Sequence, residues 1–147
     1  MSDTFDPRLT DLAQEFREAL RLGVYMFRRL DPEGDLTAAQ LSLLSMISDG
    51  GLRVGDIAKN LGIKVPSATE QIIKLERVGL VTRQPDPDDS RAVQVAITQA
   101  GTAAVEYANQ RRNAMVAELL QGLSKQEIEQ LAAALPVISK INSSFQK

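Results

Sequence analysis

The chain contains no cysteine and no histidine in 147 residues. Without cysteine there are no disulfides, no thiolate metal sites and no thiol-based redox sensing. Without histidine the commonest metal ligand and the commonest general base are both gone. No Ser-Lys, Gly-rich phosphate or paired-carboxylate constellation takes their place, so nothing argues for an enzyme, a metal or a cofactor. Long apolar runs are also missing, and Met1-Ser2-Asp3 does not open a signal peptide. A cytoplasmic protein with no membrane partner is therefore expected. An excess of positive charge is lacking too: the net charge is −2 and the pI about 5.2. The segment 53–91 is slightly different, with seven basic residues (Arg53, Lys59, Lys64, Lys74, Arg77, Arg83, Arg91) against six acidic ones (Asp56, Glu70, Glu76, Asp86, Asp88, Asp89). Phosphate binding depends on where Lys and Arg stand rather than on overall charge, so the pattern has to carry the reading.

What is present is helical periodicity interrupted once by strands. This length suits one domain, or a small domain with helical extensions at both ends. Asp6-Pro7 supplies a cap followed by a first-turn proline. Leu9, Leu12, Phe16, Leu20, Val24 and Phe27 then recur at helical spacing until Asp31-Pro32-Glu33-Gly34. A second helix opens at Thr37 with Gln40 as capping-box partner and stops at Asp49-Gly50-Gly51. A third runs from Val54 to Leu61 with Ile57, Ala58 and Leu61 inward, and a fourth from Val65 to Val78. Strands follow over 80–84 and 92–97, the second with Val93, Val95 and Ile97 inward and Gln94 and Ala96 outward. The stretch Pro85-Asp86-Pro87-Asp88-Asp89-Ser90 between them reads as an exposed loop. A fifth helix spans Thr98 to Leu120. A sixth starts at Ser124 with Glu127 as partner and carries Ile128, Leu131, Leu135, Ile138, Ile141 and Phe145 on one face. Pro136 lies inside it, which predicts a kink or a break.

A short helix ending at Gly62, a second ending at Gly79 and a hairpin tipped by Asp89 and Arg91 together describe a winged helix-turn-helix. Three motifs stand in that frame: Leu75-Glu76-x-x-Gly79-Leu80-Val81-x-Arg83, Asp89-x-Arg91 and Ile97-Thr98-x-x-Gly101. On these residues the chain resembles the multiple-antibiotic-resistance regulator (MarR) family of bacterial transcription factors, and the likeness spans nearly the whole sequence. The resemblance implies a mainly α fold with a small β-wing. Residues 36–98 would form the DNA-binding lobe, and 6–31 with 99–147 a helical dimerisation region, all within one MarR-like domain over 1–147.

In the fourth helix Val65, Ala68, Ile72 and Leu75 share one face and should pack inward. The opposite face holds Pro66, Ser67, Glu70, Ile73, Lys74 and Arg77, with Thr69 and Gln71 at its flanks. Residues near the start of such a helix contact base edges in the major groove. Ser67, Thr69, Glu70, Gln71, Lys74 and Arg77 are the candidates for DNA contact. Ser67, Thr69 and Gln71 can donate and accept, and Lys74 can neutralise a phosphate or reach a guanine. Three positions depart from the family's habit. Lys64 stands where a Ser or Asp cap is common, so the helix either starts irregularly or starts later, at Pro66. Glu70 opposes phosphates unless it accepts from a cytosine amine, and Ile73 is outward and apolar, suited to a thymine methyl. A tolerant surface accounts for these three equally well.

An acidic loop is ordinarily just solvated. The resemblance implies otherwise for two residues: Arg91 enters the minor groove and Asp89 holds its guanidinium. Asp86 and Asp88 are expected to be solvated. Helix one, the distal part of helix five (Met115, Val116, Leu119, Leu120) and helix six carry more apolar residues than a winged-helix core can cover. In similar proteins these ends interlock into a homodimer, which sets two recognition helices about 34 Å apart on a palindromic operator. The family also binds small, often aromatic or phenolic effectors. Tyr25, Met26, Met46 and Arg112 are the candidates here, although their spacing alone reads as core. The expected function is a repressor of transcription released by such an effector. The competing expectation is a winged-helix protein-interaction module without DNA binding, which Glu70, the acidic wing and the low pI would permit.

Overall fold

The computed structural model describes residues 6–30 and 36–144. Local sequence accounts for most helix boundaries. Asp6 caps α1 (Pro7–Arg29) by accepting a hydrogen bond from the Arg8 N–H, and Pro7 supplies a preset first turn. Thr37 and Gln40 form a reciprocal capping box at α2 (Ala38–Met46), with bonds of 3.2 and 3.0 Å. The helix ends at Met46, ahead of the Asp49-Gly50-Gly51 stop, because the buried Ile47 already leaves helical geometry. Helix α3 (Val54–Leu61) closes on Gly62 in the left-handed region, and α4 (Val65–Arg77) follows within a few residues. The expected stop of α1 at Asp31–Gly34 and the apolar Phe145 lie outside the described residues.

Strands β1 (Val81–Pro85) and β2 (Val93–Ile97) pair antiparallel, with Val81 opposite Ile97 and Pro85 opposite Val93. Pro85 therefore closes a strand instead of opening the loop, a position an edge strand tolerates because the missing N–H faces no partner. Leu52 adds one rung beyond β2: its N–H donates to the Val95 carbonyl at 3.0 Å, and Val95 returns the bond at 2.8 Å. The core gathers Leu43, Leu44 and Ile47 from α2 and its cap, Ile57 and Ala58 from α3, Ala68, Ile72 and Leu75 from α4, and Val81 and Val95 from the hairpin. Each fully enclosed Leu or Ile here contributes about 1.5–3 kcal/mol.

Three side-chain assignments are corrected, two expected inward (Val93 and Val65) and one outward (Gln94). Val93 is half exposed and Gln94 is buried. Val93 sits at the far end of the hairpin opposite Pro85, beyond the reach of the core. Gln94 instead lies across Gly51, where a Cβ would come within 2.6 Å of its side chain. Val65 is likewise half exposed, because α4 has only just begun at that point and the core starts with Ala68.

The end of the wing is joined to the next helix by the third motif. Thr98 Oγ1 donates to the Gly79 carbonyl at 2.7 Å and accepts from the Gly101 N–H at 3.0 Å, capping α5 (Gln99–Leu120). A Cβ on Gly101 would stand 2.2 Å from the Leu80 carbonyl oxygen, a backbone atom that cannot step aside. Thr and Gly at this spacing are thus required by one close crossing of α5 over the β1 entrance.

The chain forms two compact units, 1–109 and 110–147, and α5 runs from the first into the second. In the second, Ser124 and Glu127 exchange bonds of 2.8 and 3.3 Å at the start of α6 (Lys125–Ser144). The bond from the Ser124 N–H, followed by one from the Ser124 hydroxyl, holds the Glu127 carboxyl below its usual range. Helix α6 runs unbroken through Pro136, so the break is not there. Neither α1 nor α6 contains a buried residue, and Leu9, Leu12, Leu20, Val24, Phe27, Ile128, Leu131, Leu135 and Ile141 are all exposed. No helix among the described residues is long and apolar enough to cross a membrane.

Candidate nucleic-acid interface

The outward face of α4 is fixed from behind. Ala68, Ile72 and Leu75 are buried at 3.6-residue spacing, which turns Ser67, Glu70, Ile73, Lys74 and Arg77 to the surface. Thr69 and Gln71 are half-buried at the margins. The helix starts at Val65 with Lys64 as its cap residue and Pro66 in the first turn, and no side chain caps it. Of the two expected irregularities, the start is therefore regular but undecorated. Ser67 and Gln71 also border a cleft of about 400 Å³ with Ala38, Ala39 and Ser42 of α2 and with Leu61 and Ile63.

Glu70 and Lys74 form an ion pair at 2.9 Å, one turn apart and both well exposed. The hydrogen bond from Lys74 lowers the Glu70 carboxyl from its ordinary pKa. The pair largely neutralises the charge that set Glu70 against phosphates. It presents an acceptor and a donor side by side, complementary to a cytosine amine and to a guanine or phosphate respectively. Arg77 lies exposed in the last turn, where a cation suits the helix dipole. Arg83 on β1 reaches back to Glu76 at 3.3 Å and ties the hairpin to the end of α4.

The wing is more ordered than an acidic loop suggests. Asp89 Oδ1 accepts from the Arg91 backbone N–H at 3.1 Å and from its Nε at 3.5 Å. The Arg91 side chain is 92% exposed, so the guanidinium projects from the tip with one edge held. Asp86, expected to be merely solvated, has a side chain only 10% exposed and serves as the hub of the loop. Its Oδ2 accepts from Arg53 Nε at 2.7 Å, and its Oδ1 from the Asp88 and Asp89 N–H groups at 2.9 and 3.2 Å. The Arg53 bond, followed by those from the loop backbone, holds the Asp86 carboxyl down to about 2. Arg53 is correspondingly raised, first by the bond it donates to Asp86. Two of the three loop carboxylates are thus already matched to arginines.

Sequence reasoning missed Arg53 and Asp86 as a pair. An aspartate two and three residues ahead of free N–H groups is an Asx-turn pattern and could have marked the cap. Nothing local could have named Arg53, which stands 33 positions away.

Of the effector candidates, Tyr25 is half exposed on α1 with Arg21 over its ring at 5.8 Å, and Arg21 is itself paired with Glu18. Met26 and Met46 are half-buried in the same compact unit, and Arg112 is half-buried on the part of α5 that belongs to the second. Among the described residues no group of three or more acidic, His or Cys side chains is placed to hold a metal ion.

A helix-turn-helix with a polar outward face on its second helix, backed by a hairpin that projects an arginine, is a winged-helix DNA-binding protein. The MarR family pattern matches residues 36–93, the span from α2 to the start of β2. An HTH-type transcriptional regulator of Mycobacterium bovis is 31% identical over 105 residues, covering 71% of this chain and 73% of that one. Another from Mycobacterium leprae is 28% identical over 131 residues, covering 88% and 92%. The crystal structure of wild-type MarR from E. coli, in its apo form, superposes with a TM-score of 0.72 at 25% identity over 86% of this chain and 96% of that one. The fold extends to RV1404 of Mycobacterium tuberculosis, with a TM-score of 0.77 at 20% identity over 94% and 96%. The chain belongs to the MarR family, a family of transcriptional regulators and not of enzymes.

Proposed function

We propose that the protein is a homodimeric repressor that binds a palindromic operator and is released by a small aromatic or phenolic effector. The reading is carried by the outward polar face of α4 standing with an exposed, carboxylate-held Arg91 on the same lobe. Ser67, Thr69, Glu70, Gln71 and Lys74 are assigned to base edges and nearby phosphates. Arg77 is assigned to the backbone, and Arg91, steadied by Asp89, to the minor groove. The dimer is supported by the unburied apolar residues of α1 and α6. Two-fold symmetry in the protein then calls for a palindrome in the DNA. Repression and release by an effector rest on the family, with Tyr25, Met26, Met46 and Arg112 the residues proposed for the ligand.

The test is enrichment of duplexes by the wild-type protein from a random pool, followed by salt titration on the enriched duplex and a scrambled one. An inverted repeat with half-sites about one turn apart is expected, with affinity falling steeply as salt rises. If no sequence is enriched and retention ignores salt, the DNA reading fails and a protein-interaction module takes its place.

A further inference from the structure

We propose that Arg53 and Asp86 are a positioning pair that sets where the wing carries Arg91, so that Arg53 acts on DNA affinity through Arg91 and not by touching the duplex. The proposal rests on the reading of the wing as a DNA contact. Arg53 belongs to the helix-turn-helix scaffold: it is the cap residue of α3, whose Ile57 and Ala58 share one core with Ile72 and Leu75 of α4. The hairpin is fastened to the scaffold at Leu52, through its two backbone bonds with Val95. Arg83, opposite Val95, ties the hairpin to Glu76 of α4 at the same level, and a two-stranded ribbon held only at that level can still twist beyond it. Arg53, the residue after Leu52, fastens it again further out through Asp86. Asp86 lies beside Ala92, whose carbonyl accepts its N–H at 3.0 Å. Three residue steps lead from Ala92 to Val95, so the two fastenings are roughly 10 Å apart along the hairpin.

From Asp86 the path continues without a gap. Its carboxylate accepts from the Asp89 N–H, the Asp89 carbonyl accepts from the Ala92 N–H at 2.9 Å, and the Asp89 carboxylate holds the Arg91 backbone and side chain. The guanidinium that reaches outward is thus referenced to α3 through successive hydrogen bonds. Because Arg53 is half exposed, the pair adds little to stability, and its effect is geometric.

Electrostatics and positioning predict opposite signs for one variant. Asp86→Asn removes a negative charge from a DNA-facing loop, which by charge alone tightens binding. As a positioning change it weakens binding, since the amide cannot hold the guanidinium while its oxygen can still cap the loop. The experiment measures wild type, Asp86→Asn, Arg53→Ala, Arg91→Ala and the Arg53→Ala/Arg91→Ala double variant on the duplex enriched by the wild type, with a thermal melt for each. Asp86→Asn and Arg53→Ala are each expected to weaken binding about five- to tenfold with Tm little changed, and the double variant to bind no more weakly than Arg91→Ala. Equal or tighter binding by a folded Asp86→Asn overturns the proposal. So does a double variant weakened by the product of the single effects, which makes Arg53 an independent phosphate contact. If Asp86→Asn does not fold, the Arg53 and Arg91 cycle alone decides. If the wild type enriches no duplex at all, it is the DNA reading that has failed.

Discussion

The side chains of α4 divide by what they can read. Ser67 and Gln71 carry both donors and acceptors at the first turns and border the same cleft, so in the proposed complex they are the side chains suited to hydrogen bonding with base edges. Gln71→Ala or Ser67→Ala should lower affinity for the preferred duplex by roughly 1–3 kcal/mol per half-site and leave a scrambled duplex nearly unaffected. Arg91→Ala should weaken both duplexes and make the salt slope shallower, because a minor-groove arginine senses width and potential more than sequence. A salt titration on both duplexes checks the pair, and equal behaviour of Arg91→Ala and wild type at every salt concentration removes the wing from the interface. Asp86 carries a pH prediction. Its folded pKa, about 2, lies below the ordinary 3.8, so its contribution to the wing is fully present above about pH 4. That contribution is lost as pH falls towards 2. A side-chain carboxyl shift followed by NMR should therefore titrate near 2, and a midpoint near 4 would show that the Arg53 pairing does not persist in solution.

Among the elements, the junction between β1 and α5 has the least room. Thr98 spends its hydroxyl on the Gly79 carbonyl and the Gly101 N–H together. Gly79 itself sits at φ +76°, which a side chain resists. Gly101→Ala should cost about 1–3 kcal/mol, since its Cβ meets the Leu80 carbonyl and the helix must shift to admit it. Thr98→Ala should cost about 1 kcal/mol, the ordinary loss of a helix cap. Urea unfolding measures both, and a neutral Gly101→Ala would mean that α5 does not cross so closely. The hairpin is legible as strand-loop-strand with Val95 and Ile97 inward, but Val93 and Gln94 depart from strict alternation. Strict alternation assumes a core under the whole strand, and here the core ends before Val93.

At the scale of the molecule, the apolar residues left exposed on α1 and α6 outweigh what composition suggests about assembly. A net charge of −2 and a balanced interface segment are neutral on DNA binding, whereas Leu9, Leu12, Leu20 and Phe27 standing in water are costly unless covered. Sedimentation at micromolar concentration should give twice the 16.1 kDa chain mass. Leu12→Asp with Leu20→Asp should shift it towards the monomer and weaken operator binding, because two half-sites are no longer held together. A wild-type chain that sediments as a monomer removes the dimer from the proposed function.

Local sequence sets the order of the elements and the starts of α1, α2 and α6, because capping pairs such as Thr37 with Gln40 and Ser124 with Glu127, and apolar spacing such as Ala68, Ile72 and Leu75, act within a few residues. It also determined the face of α4 that carries the candidate contacts, since burial of one stripe leaves only the other. Packing in three dimensions turns Gln94 inward over Gly51, carries Pro136 within an unbroken helix, and makes Asp86 a hub and not a solvated charge. Each of these depends on a partner distant in the chain or on the extent of the core beneath a strand. Arg53 and Asp86 are the clearest case: two charged residues with no local reason to be noticed become one hydrogen-bonded unit when α3 and the wing are brought side by side.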